Sequence, residues 1–257
     1  MSKIHVEGLS IKFRIYRDRS PSIKDFFVNF FNRKSHNSFS DFWAIKNISL
    51  DINSGDRVGI IGHNGAGKST LLKALCRIYE PSEGVVTVAG RIVPLLEIGA
   101  GFHPEFTGRE NIFLNGAIFG YSKKQLQDIE SEVISFSEVE DFIDTQVKYY
   151  STGMYMRLAF SLATAMKPDI LVLDEVFAGG DAAFLEKAKP RLAALVESAS
   201  IMVMVSHDHN LIESLCNRVI WLDHGKLIDD GRPKEVISRY LLQASANSPP
   251  LQQSNDN

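Results

Sequence analysis

The residues with the clearest chemical purpose form a glycine-rich loop. It reads Gly62-His63-Asn64-Gly65-Ala66-Gly67-Lys68-Ser69-Thr70. An apolar run at 58–61 precedes it and a helix-forming run from Leu71 follows, the order of a phosphate-binding loop between a strand and a helix. The glycines let the backbone approach an oligophosphate, Lys68 adds a positive charge, and Ser69 offers a hydroxyl to Mg²⁺. This pattern predicts a bound nucleoside triphosphate.

Three further polar side chains follow apolar runs that resemble buried strands. Asp174 and Glu175 end the run at 170–173, and His207 comes shortly after a second run. Because side chains alternate along a strand, the two acids point in different directions. Asp174 is predicted to bind Mg²⁺ with Ser69, and Glu175 to hold the attacking water beyond the γ-phosphate. His207 is predicted to reach the γ-phosphate from the same sheet edge.

The elements that must position these side chains alternate between short apolar strands and helical patterns. This alternation predicts an α/β fold with a mainly parallel sheet covered by helices. The predicted strands are 45–52, 57–61, 170–173, 201–205 and 218–222.

A long insertion, roughly residues 91–168, is predicted to be a helical subdomain. Its helical patterns cover 108–119, 123–138 and 153–166. Pro190 interrupts a later helical pattern, 183–196, so we expect that helix to be kinked or split. A short helical stretch at 233–242 precedes a polar tail, 244–257, which is expected to be disordered.

Composition narrows the class of protein. The chain has 257 residues, 44% hydrophobic and 23% charged, as expected for one globular domain, 1–243, with insertions. Its formal net charge of -3 argues against a nucleic-acid partner. No apolar window is long enough to span a membrane and the N-terminus lacks a signal-peptide core, so we expect a cytosolic or peripheral protein. Cys76 and Cys216 lack metal-type spacing and are expected to be buried, reduced thiols.

A segment before the glycine loop, about 17–36, combines an amphipathic helical pattern with an excess of basic residues. Five large apolar side chains recur at helical spacing, and residues 12–36 carry seven Lys and Arg against two Asp. Such a helix suits an anionic membrane surface or a groove in a membrane partner. Packing of these phenylalanines on their own domain is the alternative. The large apolar residues are Ile23, Phe26, Phe27, Phe30 and Phe31.

The order of four motifs resembles the nucleotide-binding cassette of ABC transporters over about residues 45–225. These motifs are GHNGAGKST, YSTGM from Tyr150, LVLDE and VSHD. The resemblance implies a P-loop fold with a mainly parallel core, an antiparallel β lobe and a helical subdomain. It also implies that Ser151 and Gly153, in place of the family's usual LSGGQ wording, contact the γ-phosphate held by a second copy. Asp181 would belong to the D-loop that crosses the dimer interface.

Four longer segments are similar to the subfamily that exports polysaccharides, which are O-antigen, capsule or teichoic acid. They read YSTGMYMRLAFSLA, GAGFHPEFTGREN, DEVFAGGDAAF and FWAIKNISL. This resemblance implies an ATPase homodimer, using ATP and Mg²⁺, at the cytoplasmic face of the membrane. A separate permease would move a lipid-linked polysaccharide. A soluble regulatory ATPase remains the alternative from another class.

Two family positions are ambiguous in this sequence. The family's glutamine loop has no Gln at 97–106, which leaves Glu97 or His103 as substitutes. Adenine is usually held by an aromatic ring upstream of the glycine loop, because stacking requires only a flat apolar face. Counting back from the predicted strand favours Phe39. The competing aromatic residues are Phe13, Tyr16, Phe42 and Trp43.

Overall fold

The computed structural model describes residues 1–16, 39–96, 99–174 and 182–246. Several sequence-based predictions fall outside these ranges. They concern the insertion at 17–36, Glu97, Glu175, Asp181 and the tail beyond 246, and they stay predictions.

A six-stranded sheet forms the centre of the described structure. Its strand order is β5-β6-β7-β3-β8-β9, with β9 antiparallel and the other neighbours parallel. Every residue of β6 and β7 is buried, which explains their unbroken apolar sequences, because helices cover both faces of a parallel sheet. The strands are β3 Arg57–Ile61, β5 Ile92–Leu95, β6 Ile170–Leu173, β7 Ile201–Val205, β8 Arg218–Asp223 and β9 Lys226–Gly231.

A second, three-stranded antiparallel sheet pairs β2, β1 and β4 within the described residues. These strands are β1 Lys3–Tyr16, β2 Phe39–Asn53 and β4 Glu83–Ala89. Inward side chains of β1 and β2, such as Ile4, Ile45 and Ile52, are fully buried. They join β3, β6 and β7 side chains in one core cluster. The antiparallel lobe and the parallel core therefore share one hydrophobic interior, as the ABC cassette resemblance implies.

Seven α-helices and two short 3₁₀-helices, Glu140–Phe142 and Val147–Tyr149, complete the described ranges. The α-helices are α1 Lys68–Leu75, α2 Gly108–Ile118, α3 Lys123–Ser137, α4 Thr152–Ala165, α5 Ala182–Ser198, α6 His209–Leu215 and α7 Pro233–Ala246. Capping boxes begin α2, at Thr107 and Glu110, and α3, at Ser122 and Gln125. Helices α2, α3 and α4 bury their own apolar cluster, which includes Ile112, Val133, Leu158 and Leu162. The three helices predicted inside the insertion are confirmed.

Three boundaries differ from the sequence-based expectation. The insertion predicted from about 91 starts too early, because Ile92–Leu95 form β5 and pair with β6 at the sheet edge. Of the kink or split predicted at Pro190, the split is wrong, because α5 runs through it continuously from residue 182 to 198, and the kink stays a prediction. Buried side chains on both sides of Pro190, among them Ala188 and Leu195, hold the two halves of α5 against the domain. Helix α7 extends to Ala246, two residues past the predicted start of the tail.

Two smaller findings concern membrane spans and thiols. Among the described helices, none is both long and apolar enough to cross a membrane. Cys216 is buried and Cys76 is half-buried, and both are free thiols. Burial raises the pKa of each thiol to about 12, so both stay protonated at neutral pH.

Candidate functional site

Three neighbouring parallel strands bring the predicted polar side chains to one edge of the sheet. β3 leads into the glycine loop, β6 into Asp174, and β7 into His207, and β7 pairs with both β3 and β6. Because the carboxyl ends of parallel strands meet at one edge, these residues converge. They line a single cavity of about 300 Å³. Its lining from the glycine loop comprises Asn64, Gly65, Gly67, Lys68, Ser69 and Thr70.

Close backbone approaches determine the path of the glycine loop. Gly62 has a φ of 147°, and a Cβ there would lie 2.2 Å from the carbonyl oxygen of Leu222 on β8. Gly67 has a φ of 104°, and its Cβ would lie 2.7 Å from the carbonyl oxygen of Ala44. Only glycine fits both positions, so the loop is held tightly between β8 and β2.

Lys68 begins α1 directly beneath the cavity. Its side chain is buried, with 8% exposure, and its Nζ donates hydrogen bonds to the carbonyl oxygens of Gly62, at 2.7 Å, and His63, at 3.1 Å. A buried ammonium needs such partners because transfer from water is costly. The loop therefore holds a positive charge at the cavity wall, where an anionic ligand would meet it.

Oxygen ligands suited to a small divalent cation lie in the same cavity. The Ser69 hydroxyl and the Asp174 carboxylate both belong to residues that line it. Hydroxyl and carboxylate oxygens are ligands that Mg²⁺ prefers. His207 lines the cavity as well and is exposed to solvent. Next to it, Asp208 caps α6 by accepting hydrogen bonds from the backbone N–H groups of Asn210 and Leu211.

The YSTGM segment lies elsewhere on the surface. Ser151 caps α4 by accepting a hydrogen bond from the Met154 backbone N–H at 3.2 Å, and it is exposed. A Cβ on Gly153 would find only Ser151 Oγ, at 3.9 Å. Neither residue is among those that line the cavity of about 300 Å³. The start of α4 is thus an open helix N-terminus that the described chain leaves accessible to another molecule.

Two aromatic residues complete the cavity on the side of the β lobe. Phe13 and Phe42 both line it, and they are directly paired in the β1–β2 register. Phe13 packs edge-on against Tyr79, with ring centroids 5.4 Å apart, whereas Phe42 is 51% exposed. Phe39, the favoured residue in the sequence analysis, lies at the start of β2, and its side chain is outside the described part.

A contact that sequence reasoning missed joins α4 to the segment after β5. Tyr155 Oη donates a hydrogen bond to the carbonyl oxygen of Gly99 at 2.6 Å. Gly99 has a φ of 86°, and a Cβ there would lie 2.5 Å from the Tyr155 ring. Burial raises the pKa of Tyr155, so it remains a donor. His103, in the same connection, is held by its backbone N–H, which donates to Asn111 Oδ1 at 2.7 Å.

A larger cleft, of about 590 Å³, separates the parallel core from the helical part. Lys73, Cys76 and Arg77, from α1 and the turn after it, form one side. Side chains of α2 and α4, among them Ile118 and Leu162, form the opposite side. Lys73 is the α1 residue that reaches this cleft. The cleft shares no lining residue with the cavity of about 300 Å³, so the two are distinct.

Comparison with known proteins agrees with this geometry. The family model described as ABC transporter matches residues 45–178, which is more than half of the chain. The chain belongs to the ABC transporter family. The parallel core and the glycine loop of this chain are part of the ATP-binding cassette that defines the family. A dimeric ATP-binding cassette in a post-hydrolysis state, bound to ADP and phosphate, has the same fold with a TM-score of 0.63 and 22% identity. The match covers 90% of this chain and 98% of that one.

Relatives of this cassette include proteins named for export. The O-antigen export system ATP-binding protein RfbE of Yersinia enterocolitica is 39% identical over 234 residues, covering 90% of this chain and 98% of that protein. RfbB of Myxococcus xanthus, with the same description, is 44% identical over 214 residues, 80% of this chain. The teichoic acids export ATP-binding protein TagH of Shouchella clausii is 35% identical over 238 residues, 93% of this chain. This chain spans 49% of the Myxococcus protein and 65% of TagH.

Proposed function

We propose that this chain is the ATP-hydrolysing subunit of an ABC transporter that exports a lipid-linked, O-antigen-like polysaccharide. The observation that supports ATP hydrolysis is the single cavity that Lys68, Ser69, Asp174 and His207 line together. The relatives support the substrate class, because a relative matched over 98% of its length and 90% of this chain is named for O-antigen export. Teichoic acid is the second candidate glycan class, because TagH is also a relative, although its identity to this chain is lower.

Each cavity residue has a role in this proposal. Lys68 turns its ammonium from the loop carbonyls to the β- and γ-phosphates, and Ser69 and Asp174 hold Mg²⁺. The metal, when bound, neutralises charge on the phosphates. His207 donates a hydrogen bond to the γ-phosphate. Glu175, the next residue after Asp174, orients the attacking water and accepts its proton.

The site is completed by a second copy of the chain. A helix N-terminus favours an anion, because its backbone N–H groups and dipole point outward. The exposed start of α4 at Ser151 offers such an end, and the open space at Gly153 lets a phosphate approach the backbone. In a two-fold dimer each cavity would receive the partner's α4, so two ATP molecules would lie between two subunits. Asp181 is proposed to cross the same interface.

The adenine ring is proposed to stack on Phe42 rather than Phe39. Phe42 offers a half-exposed ring at the cavity mouth, whereas the Phe13 ring already contacts Tyr79. Stacking on one aromatic face is tolerant of orientation and buries both flat surfaces. The β1–β2 pairing, which sets Phe42 opposite Phe13 beside the cavity, supports this position, three residues beyond the one that counting favoured.

The cleft of about 590 Å³ is proposed to receive a cytoplasmic segment of the permease. One side belongs to α1, which starts at Lys68, and the other to α2 and to α4, which starts after Ser151. A segment docked between them would respond to any movement of the helical part relative to the core. The work of transport then comes from the difference in ATP affinity between closed and open dimers.

Docking in this cleft can be tested with two matched isoleucines. Ile118 lines the cleft and is 64% exposed, and Ile228 on β9 is 46% exposed and outside it. Ile118→Glu should abolish co-purification with the permease from detergent-solubilised membranes, whereas Ile228→Glu should retain it. Equal recovery of both variants would contradict the docking site.

The substrate class is tested in the host cell. A strain that lacks the chain is complemented with wild type or with Lys68→Met, and surface polysaccharide and lipid-linked precursor are measured. We expect only wild type to restore surface glycan, and precursor to accumulate with the variant. Normal surface glycan in the uncomplemented strain would refute the export proposal.

A further inference from the structure

A cluster of two histidines and one aspartate joins the glycine loop, through His63, to the end of β8 and the turn after it. His63 Nε2 is 2.7 Å from Asp223 Oδ1, and His224 Nε2 is 3.9 Å from the same oxygen. The imidazole rings of His63 and His224 have centroids 4.7 Å apart. Among the described residues, this is the one group of three His, Cys, Asp or Glu whose ligand atoms lie within 4.8 Å of each other. His63 is not among the residues that line the nucleotide cavity.

The hydrogen bonding of His63 decides which of its nitrogens has a lone pair. Nδ1 lies 2.6 Å from the carbonyl oxygen of Asn64. A carbonyl only accepts, so Nδ1 carries the proton and neutral His63 has its lone pair on Nε2. That Nε2 atom is buried and lies 2.7 Å from Asp223 Oδ1, which is an ion pair when the ring carries two protons and a lone pair facing a carboxylate oxygen when it carries one. In the neutral ring, a cation bound to both atoms would replace this repulsive contact, so the pair offers two ligand atoms to a metal ion.

We infer that His63, Asp223 and His224 form a binding site for a divalent transition-metal ion of the Zn²⁺ type. Imidazole nitrogen with one carboxylate is a ligand set for Zn²⁺, Ni²⁺ or Cu²⁺, whereas Mg²⁺ prefers oxygen. A histidine that binds metal through one nitrogen commonly donates its other N–H to a carbonyl, as His63 does. This site is separate from the Mg²⁺ position proposed at Ser69 and Asp174.

The distances fit after small side-chain rotations. Tetrahedral ligands with metal bonds of about 2.0–2.1 Å lie roughly 3.3 Å apart. The His63–Asp223 pair, at 2.7 Å, must open slightly, and His224 must move inward from 3.9 Å. The His224 side chain is 81% exposed, so it can rotate without displacing the core. Solvent supplies the remaining coordination positions on this open side.

Such an ion would fasten a turn to the glycine loop. His224 and Gly225 form the turn between β8 and β9, and the Gly225 backbone N–H already donates to the Ala66 carbonyl at 2.9 Å. The Gly225 carbonyl in turn accepts from the Lys46 backbone N–H on β2 at 2.8 Å. A metal that joins His63 to this turn would stabilise the folded loop, and the stabilisation would grow with the logarithm of one plus the ratio of free ion to its dissociation constant.

The test is a titration of untagged, nucleotide-free, full-length protein with Zn²⁺, and with Co²⁺ followed by visible absorption. Wild type should bind one ion at the cluster. Asp223→Asn and His224→Asn should each weaken binding at least ten-fold, and Asn suits position 224 because its φ is 44°. His5→Asn is the matched control, because His5 lies beside Asp51 and Glu7 with no second histidine in the cluster. It should leave binding unchanged.

A second measurement, nitrogen-15 spectra of the histidine rings, reports the site even if a variant folds poorly. Addition of Zn²⁺ to wild type should shift His63 Nε2 and leave its Nδ1 protonated. Absence of saturable Zn²⁺ binding, equal binding by wild type and His224→Asn, or shifts confined to other histidines would overturn the inference.

Discussion

A pair of glycine substitutions tests whether the loop is held against β8 as closely as the structure indicates. Gly62→Ala would place Cβ 2.2 Å from the Leu222 carbonyl oxygen, at a φ of 147°. Backbone strain of this type costs about 1–3 kcal/mol. The displacement needed to relieve the contact costs about 1–3 kcal/mol more. We therefore expect Gly62→Ala to lower the free energy of unfolding by about 2–6 kcal/mol.

Gly65→Ala is the matched control in the same loop. Gly65 also has a positive φ, 81°, but no atom lies within 4 Å of the added Cβ. Only the left-handed backbone is then penalised, so the expected loss is about 1–2 kcal/mol. Urea unfolding at equilibrium, followed by tryptophan fluorescence, to which the buried Trp221 beside Leu222 contributes, measures both variants. A Gly62→Ala variant as stable as wild type, or a larger loss for Gly65→Ala, would refute the close approach.

Three further substitutions test the proposed ATP site. Lys68→Met should weaken ATP binding about 10–100-fold, because one charge-assisted hydrogen bond to the phosphates is lost. Lys73→Met, in the same helix, should leave the affinity unchanged. Equal affinities of the two variants in a fluorescent-nucleotide titration would argue against the phosphate role of Lys68. Glu175→Gln should retain ATP binding but lower steady-state hydrolysis by about two to four orders of magnitude, and near wild-type turnover would remove Glu175 as the base. Phe42→Ala should raise the ATP dissociation constant about ten-fold, with exposed Phe106→Ala as the unaffected control, and an unchanged constant would exclude stacking there.

The parallel core could be predicted because burial on both faces leaves a simple signal. β6 and β7 are unbroken apolar runs, and their predicted bounds match the structure. β5 carried no such signal, since it has four residues, includes Pro94 and lies at the sheet edge, where a proline is tolerated. The continuity of the helix through Pro190 could not be predicted, because local propensity does not include the packing that holds both halves in place.

In the candidate site, the residues of short motifs could be predicted, whereas residues brought together by strand pairing could not. Lys68, Ser69 and Asp174 could be placed in one cavity because motifs that end parallel strands converge without knowledge of the strand order. The aromatic side of the cavity depends on the register of β1 against β2, which pairs Phe13 with Phe42. Those strands are joined through residues 17–38, so counting along the chain could not fix which ring reaches the cavity. The cluster of His63, Asp223 and His224 likewise joins residues 160 positions apart in sequence.

The central claim is that one subunit cannot complete the ATP site. Mixing two inactive variants tests it directly. Lys68→Met disables the glycine loop. Gly153→Asp adds a negative charge at the start of α4, and the new side chain fits there because a Cβ on Gly153 meets only Ser151 Oγ, at 3.9 Å. In mixed dimers, one site carries both changes and the other carries neither.

Steady-state ATP hydrolysis of an equimolar mixture, formed from unfolded or dissociated subunits, is the deciding measurement. Random pairing makes half of the dimers mixed, each with one intact site, so activity should recover to roughly a quarter of wild type. Activity that remains at the mean of the two separate variants would contradict a site shared between subunits.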